Sequence, residues 1–178
     1  MEDLSLHILD IVENSTKAGA NLVEINIKKD SNKDLLQIII RDNGRGMDPE
    51  MVKRVTDPFI TTRTTRRVGL GLSMLEHAAQ ETGGNLTVKS EPGFGTKVHA
   101  TFQASHIDRK PFGDIGSTMI SLIMGNPAVD FIYESDFDGE KTTIDTRAIK
   151  AELDGTTQIS DPEVLKLLRG VFEESLRN

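Results

Sequence analysis

One predicted helix carries three polar side chains on a single face. Asp10, Asn14 and Lys17 follow each other at spacings of four and three residues, which brings them to one side of an α-helix. A carboxylate and an amide one turn apart lie about 6 Å from each other and can serve a metal ion and its water together. Another, apolar face contains a row that ends in a hydroxyl: Leu4, Ile8, Ile11 and Ser15. The helix therefore indicates chemistry on one side and packing on the other.

Three glycine clusters stand at the ends of predicted elements. They read DNGRG (42–46) after an apolar strand, GLGLS (69–73) at the start of a helix, and GFGT (93–96) between two strands. Each cluster alone is typical of an ordinary turn. A helix that begins with glycine, however, offers free N–H groups and the positive end of its dipole, which suits phosphate. Together the clusters favour a binding site over three unrelated turns.

The side chains near these clusters suit an anionic ligand with a flat ring. Arg63, Arg66 and Arg67 can add positive charge opposite a triphosphate. Asp42 ends an apolar strand and precedes two glycines. Its carboxylate can therefore accept a hydrogen bond from an exocyclic amine while leaving room for a ring.

The elements that position these residues follow from hydrophobic periodicity. Helices are predicted over 3–18, 49–55, 70–82, 112–126 and 161–176, strands over 22–28 and 35–42, and hairpins around 92–95 and 138–139. Asp48 and Asp161 are predicted N-caps, and each precedes a proline at the first helical position. The apolar run LLQIII (35–40) indicates a strand that is buried on both faces or central in its sheet.

Composition and charge narrow the classes of function. The 178 residues include no cysteine, which excludes disulfides, thiolate catalysis and cysteine-ligated zinc. The net charge of −7 argues against nucleic-acid binding as the main role. The N-terminus lacks a signal-peptide pattern, and no apolar run approaches the roughly 20 residues that span a bilayer. We therefore expect a cytoplasmic protein that binds neither nucleic acid nor membrane.

The order and spacing of the motifs between residues 10 and 102 resemble the GHKL superfamily of ATPases, which includes DNA gyrase B, the ninety-kilodalton heat-shock chaperones, histidine kinases and MutL proteins. The matching stretches are VENSTKAGA (12–20), the adenine-motif-like RDNGRGM (41–47), and DPFITTR (57–63), VGLGLSML (68–75) and SEPGFGTKVHATF (90–102), which are similar to histidine-kinase motifs. The resemblance implies an α/β (α+β) fold. Its form would be a two-layer sandwich in which helices cover one face of a mixed, largely antiparallel sheet, with a small C-terminal α/β extension.

The same resemblance implies that the ligands are ATP and Mg²⁺, and it gives roles to single positions. Asn14 would hold Mg²⁺ against the phosphates, and Asp42 would accept the adenine amino group. Asp10 stands where ATP-hydrolysing relatives carry a longer glutamate, so it would be the catalytic base or would hold metal-linked water without driving turnover. The other implied nucleotide-binding positions are Lys17, Gly44, Gly46, Met47, Phe59, Thr62, Arg63, Gly69, Leu70, Gly71, Leu72 and Thr96.

The chain also departs from familiar relatives. We expect an ATP-binding domain over 1–106 and an extension over 107–178, whose helix, hairpin and helix would extend the sheet, form a homodimer interface or dock a protein partner. With nine residues before Asp10, we expect neither the dimerisation helices and phosphoacceptor histidine of a histidine kinase nor the transducer domain of gyrase and MutL. The lid between Phe59 and Gly69 would close over the phosphates or remain a solvated loop.

Three functional interpretations follow. The leading one is an enzyme that hydrolyses ATP or transfers its γ-phosphate to a partner protein, as anti-sigma-factor kinases do. The second is a binding switch in which ATP orders the lid, and the third is a degenerate domain without nucleotide, against which the intact glycines and Asn14 argue. The four histidines are interpreted as ordinary core or surface residues, and the acidic stretch 134–140 as a hairpin tip rather than a calcium loop.

Overall fold

The computed structural model describes residues 3–55, 70–154 and 156–175, and of Leu70 only the backbone. Six helices and six strands lie within these ranges. In chain order they are α1 (Leu4–Lys17), β1 (Leu22–Asp30), β2 (Leu35–Asp42), α2 (Pro49–Val55), α3 (Leu70–Gln80), β3 (Asn85–Glu91), β4 (Gly95–Gln103), α4 (Ile115–Gly125), β5 (Asp130–Phe137), β6 (Glu140–Asp145), α5 (Thr146–Glu152) and α6 (Pro162–Glu174).

The described strands form one mixed sheet in the order β3-β4-β2-β1-β5-β6. Every neighbouring pair is antiparallel except β1 and β5, which run parallel with Leu22 opposite Asp130. The predicted fold class, a mixed and largely antiparallel sheet with helices packed on it, is confirmed. The extension also continues the sheet, because β5 and β6 add to the edge of β1; its role as a dimer interface stays a prediction.

Alternating burial along the strands places the core on one face of the sheet. In β2, which lies between β1 and β4, the buried apolar side chains are Leu36, Ile38 and Ile40. The strand is therefore central, and it is not fully buried on both faces. The helices α1, α3, α4 and α6 contribute buried side chains to the same core, while the other face carries polar side chains such as Lys97.

The extension packs against the helix that carries the predicted polar face. The backbone N–H groups of Leu4 and Ser5 donate to the carbonyl oxygens of Pro111 and Phe112, at 2.9 Å each. These two N–H groups belong to the first turn of α1, where a helix has no internal acceptors. The segment 111–112 therefore satisfies the start of α1 and ties it to the extension.

Two helices of the extension differ from the expectation. α4 begins at Ile115 rather than near 112, because Asp114 caps it through the N–H of Ser117 at 2.7 Å. The seven-residue α5 is missed by periodicity, which needs a longer window. Asp145 caps α5, and the buried Thr146 hydroxyl accepts from the N–H of Phe131 at 2.8 Å. These caps are local hydrogen bonds that hydrophobic spacing does not record.

His7 is a buried imidazole on the core side of α1. Its side chain is 2% exposed, and in the described part of the chain neither ring nitrogen has a hydrogen-bond partner. Burial lowers the pKa of His7 to about 4, and the positive charge of Lys110 also lowers it, while Asp3 opposes the shift. The interpretation of His7 as a core residue agrees with this position.

We predict that His7 makes the fold acid-sensitive. The unfolded chain binds a proton at the ordinary histidine pKa, near 6.5, whereas the folded chain resists protonation down to about 4. The free energy of unfolding should therefore fall by about 3 kcal/mol as the pH drops through this interval. His7→Leu should abolish that part of the loss in urea titrations. His77→Gln, at an exposed histidine, should keep it. An unchanged pH dependence in His7→Leu would contradict the assignment.

Candidate functional site

A cavity of about 120 Å³ opens beside the C-terminal half of α1, the loop after β2 and the start of α3. The residues that line it are Ile11, Asn14, Ser15, Lys17, Ala18, Asp42, Arg45, Gly46, Met47, Met51, Val55, Leu72, Thr96 and Val98. Seven of these residues have apolar side chains, and the six polar side chains come from α1, from the segment 42–45 and from Thr96 of β4. This distribution suits a ligand with a flat apolar part and a few hydrogen-bonding groups.

The carboxylate of Asp42 is the centre of the polar contacts in the cavity. Its Oδ1 accepts from the N–H of Gly44 at 2.9 Å and from the N–H of Thr96 at 3.3 Å. Its Oδ2 accepts from the Ser15 hydroxyl at 2.7 Å. Asp42 is 7% exposed, so these bonds replace the water that its charge has lost.

One acceptor position of this carboxylate is left over. An ionised carboxylate offers about four acceptor positions, and three are used by the contacts to Gly44, Thr96 and Ser15. The remaining position belongs to Oδ2, the oxygen that accepts only one hydrogen bond. A ligand in the cavity that carries an N–H group can therefore complete the set.

Ser90 joins the loop after β2 to the β3–β4 hairpin. Its Oγ accepts from the N–H of Met47 at 2.8 Å and lies 2.9 Å from the Gly95 carbonyl oxygen and 2.8 Å from the Thr96 hydroxyl. Its hydroxyl proton can satisfy one of these two oxygens at a time. Ser90 therefore positions both Met47 and Thr96, two residues of the cavity wall.

Sequence reasoning missed Ser15, Arg45 and Ser90. Ser15 had a signal, since it is the hydroxyl at the end of the apolar row of α1, where a buried polar group must find a partner. Ser90 would have been found from the register of the predicted hairpin, which pairs it with Thr96. Arg45 lies in the glycine cluster after β2 and lines the cavity.

Two of the predicted glycines make room for other parts of the chain. Gly46 has φ +68°, and a Cβ there would overlap the Glu91 carbonyl oxygen. A Cβ at Gly71, in the first turn of α3, would overlap the carboxylate of Asp10. Gly46 therefore permits a close approach between the loop after β2 and the β3–β4 hairpin. Gly71 permits a close approach between α3 and α1.

Asp10 stands apart from its two partners on the helix face. It is half-buried against Gly71 and is not one of the residues that line the cavity, whereas Asn14 and Lys17 are. Burial raises the pKa of Asp10, and the negative charge of Glu13 adds to the effect, while Lys17 opposes it. The ammonium group of Lys17 lies 3.0 Å from the Glu13 carboxylate in an exposed ion pair.

The structure brings seven of the fifteen predicted site residues to one cavity. Those that line it are Asn14, Lys17, Asp42, Gly46, Met47, Leu72 and Thr96. Gly44 adjoins it through its bond to Asp42, and Gly71 lies against Asp10. The others lie outside the described residues: Phe59, Thr62, Arg63, Gly69 and the side chain of Leu70. The roles predicted for all of these residues stay predictions.

The model of one protein family covers the part of the chain that builds this cavity. Residues 2–106 match the family described as histidine kinase-, DNA gyrase B- and HSP90-like ATPase. The chain belongs to this ATPase family. Its membership confirms the resemblance to the GHKL superfamily and supports ATP binding.

The relatives of this GHKL ATPase domain are longer proteins, and the match covers only a part of each. The non-motile and phage-resistance protein of Caulobacter vibrioides is 30% identical over 112 residues, which cover 58% of this chain and 13% of that protein. The sensor protein DegM of a Bacillus species is 33% identical over 91 residues, covering 51% of this chain and 24% of that protein. The chain thus spans less than a quarter of the length of either relative.

Solved structures share the fold of this GHKL ATPase domain. The MutL ATPase domain of Aquifex aeolicus, complexed with ADP, aligns with a TM-score of 0.53 and 21% identity, over 82% of this chain and 63% of that one. The N-terminal domain of a DNA repair protein aligns with a TM-score of 0.56 and 19% identity, over 81% and 52%. At these identities the likeness concerns the fold alone.

The described helices and acidic side chains bear on membranes and metals. Among the helices in the described ranges, none combines the length and the apolar character needed to cross a bilayer. The described residues also contain no group of three or more His, Asp or Glu side chains placed to hold a metal ion.

We predict that Gly46→Ala destabilises the fold more than Gly93→Ala does. Both glycines have positive φ, +68° and +83°, but a Cβ at Gly93 meets no atom within 4 Å. Gly93→Ala should lower the free energy of unfolding by about 1–2 kcal/mol, the cost of a left-handed backbone. Gly46→Ala should lose at least about 1 kcal/mol more because the hairpin must move. Urea unfolding of both variants measures the difference, and equal losses would contradict the proposed contact.

Proposed function

We propose that the chain binds ATP with Mg²⁺ in this cavity and hydrolyses it or transfers its γ-phosphate to a partner protein. The observation that carries the proposal is the buried Asp42 carboxylate, which keeps one acceptor position open in a cavity that apolar side chains also line. Adenine presents an exocyclic amine at its edge and two flat apolar faces. The amine would donate to Oδ2 of Asp42, and side chains such as Met47 and Val98 would contact the ring.

The same carboxylate supports a choice among nucleotides. An ionised Asp42 can only accept hydrogen bonds. A purine that carries a carbonyl where adenine has its amine would bring an oxygen against Oδ2. Two facing acceptors leave both unsatisfied, which costs free energy in a buried site. We therefore expect ATP to bind more tightly than inosine triphosphate.

The phosphates and Mg²⁺ would lie toward Asn14 and Lys17. Both residues line the cavity from one face of α1, and the amide oxygen of Asn14 is a suitable ligand for Mg²⁺. Mg²⁺ takes few protein ligands and keeps phosphate oxygens and water in its shell, so one amide fits this donor set without an acidic cluster. When bound, Mg²⁺ would supply positive charge opposite the phosphates. The lid arginines and Gly69 would add to this, as the sequence predicts.

In the enzyme, Asp10 would orient the attacking water or hydroxyl. Its raised pKa makes it a stronger base than an exposed aspartate. The wider role, an anti-sigma-type kinase or a signalling ATPase, rests on analogy with relatives such as the sensor protein DegM. A cytoplasmic location is proposed together with this role.

The second candidate is an ATP-gated binding switch without catalysis. It is favoured by the position of Asp10, which faces Gly71 and does not line the cavity. In this function ATP would order the lid and change the affinity for a partner protein. The two candidates share the nucleotide and differ in whether Asp10 is needed.

Asp42→Asn tests the adenine contact. The amide would place an N–H group where Oδ2 accepts, so ATP affinity should fall by about 1–3 kcal/mol, or about 5- to 150-fold. Inosine triphosphate should gain affinity relative to ATP in the same variant. Isothermal titration with a non-hydrolysable analogue measures both, and Asp108→Asn, at an exposed carboxylate, should bind like the wild type. Unchanged ATP affinity in Asp42→Asn would remove adenine from this position.

Asp10→Asn separates the enzyme from the switch. In the enzyme, phosphate release should fall by about 10²- to 10⁴-fold while ATP affinity stays within about twofold. Glu13→Gln, at the neighbouring carboxylate of α1, should retain most of the turnover. In the wild type, turnover should rise with pH through a pKa above that of an ordinary aspartate, because only the ionised Asp10 accepts the proton. Equal phosphate release from wild type and Asp10→Asn would exclude Asp10 as the base.

A further inference from the structure

The open face of the sheet carries three cations in one row. Arg41 lies opposite Lys97 in the β2–β4 pair, and Lys97 lies opposite Lys89 in the β4–β3 pair. Strands are about 4.8 Å apart, so the row extends over about 10 Å. We call Arg41, Lys97 and Lys89 the basic row.

Like charges directly opposite each other destabilise a sheet, and the basic row contains two such pairs. Arg41 has one counter-charge, the Glu24 carboxylate at 3.8 Å. In the described part of the chain, Lys89 and Lys97 form no ion pair. The protein as a whole carries a net charge of −7, yet among the described residues Glu24 is the one carboxylate in an ion pair with this row.

The basic row lines a surface depression of about 220 Å³. Phe94, at the tip of the β3–β4 hairpin, borders the depression and is 76% exposed. Glu91 and Asp42 are the acidic residues among those that line it, and the Asp42 carboxylate is already hydrogen-bonded to Ser15 and Gly44. Burial lowers the pKa of the neighbouring His99, and the positive charge of Lys97 lowers it further. The depression therefore combines positive charge with one exposed aromatic ring.

We propose that the basic row, with Phe94, binds an acidic segment of a partner protein that presents two or three carboxylates next to an apolar side chain. The carboxylates would pair with Lys89, Lys97 and Arg41, and the apolar side chain would cover Phe94. A protein segment fits better than a nucleic acid, because the row is only about 10 Å long and the net charge of −7 repels an extended polyanion. The proposal does not depend on ATP binding.

The test uses a fluorescently labelled peptide of three glutamates and one leucine, a matched peptide with glutamines, and a three-nucleotide thymidine oligomer. Fluorescence anisotropy at low salt measures their affinity for the full chain. The wild type should bind the glutamate peptide at least about tenfold more tightly than the glutamine peptide. Lys97→Glu should lose about tenfold or more, because the reversed charge repels the peptide. Lys166→Glu makes the same charge change at an exposed position of α6 and should stay within about twofold.

A second measurement separates loss of the site from loss of the fold. Lys97→Glu replaces two like-charge pairs with opposite-charge pairs, so its urea midpoint should equal or exceed that of the wild type. Lost binding with retained stability supports the proposal. The proposal is overturned if the two peptides bind equally, if Lys97→Glu and Lys166→Glu bind equally, or if the oligomer binds more tightly than the glutamate peptide.

Discussion

The buried carboxylate of Asp42 needs hydrogen-bond donors, and this need determines which elements meet at the cavity. Asp42 loses its water on folding, and an ionised carboxylate without hydrogen bonds in such a place costs several kcal/mol. Its three donors come from the loop that follows it, from β4 and from α1. The carboxylate therefore fixes the distance between α1 and the sheet at the point where the cavity opens. Asp42 accepts three hydrogen bonds and has room for a fourth. The residue that holds these elements together therefore also offers an acceptor to a ligand.

This arrangement uses both faces of the same three strands. On the core side, Asp42, Thr96 and Ser90 lie opposite one another across β2, β4 and β3. The basic row occupies the positions one residue away, and a shift of one residue along a strand moves a side chain to the other face. The hydrogen-bonded wall of the cavity and the cationic surface are thus two sides of one piece of sheet. A ligand on either face contacts backbone that also shapes the other.

Much of the fold and several residues of the cavity could be predicted from the sequence. The features that could not be predicted depend on contacts between residues far apart in the chain. The motifs located Asn14, Asp42 and Thr96 because their residue types and order are local properties of the chain. The contacts of Ser15 and Asp10 could not be predicted, because they are tertiary. Ser15 donates to Asp42 at the end of β2, and Asp10 lies against Gly71 at the start of α3. The parallel pairing of β5 with β1 could not be predicted either. No turn connects these two strands, and hydrophobic spacing does not specify which strands pair.

The extension matters for the cavity through α1. The first N–H groups of this helix donate to the carbonyl oxygens of residues 111 and 112, and its other end carries Asn14 and the Ser15 hydroxyl that reaches Asp42. Its middle packs on the core that α4 and β5 also build. The division into 1–106 and 107–178 stays a prediction, but the sheet contains strands from both parts and α1 is hydrogen-bonded to the second. A helix held at its start by the extension and near its end by Asp42 has little freedom to shift along its axis. The spacing between Asn14 and Asp42, on which a bound nucleotide would depend, is therefore set from both halves of the chain.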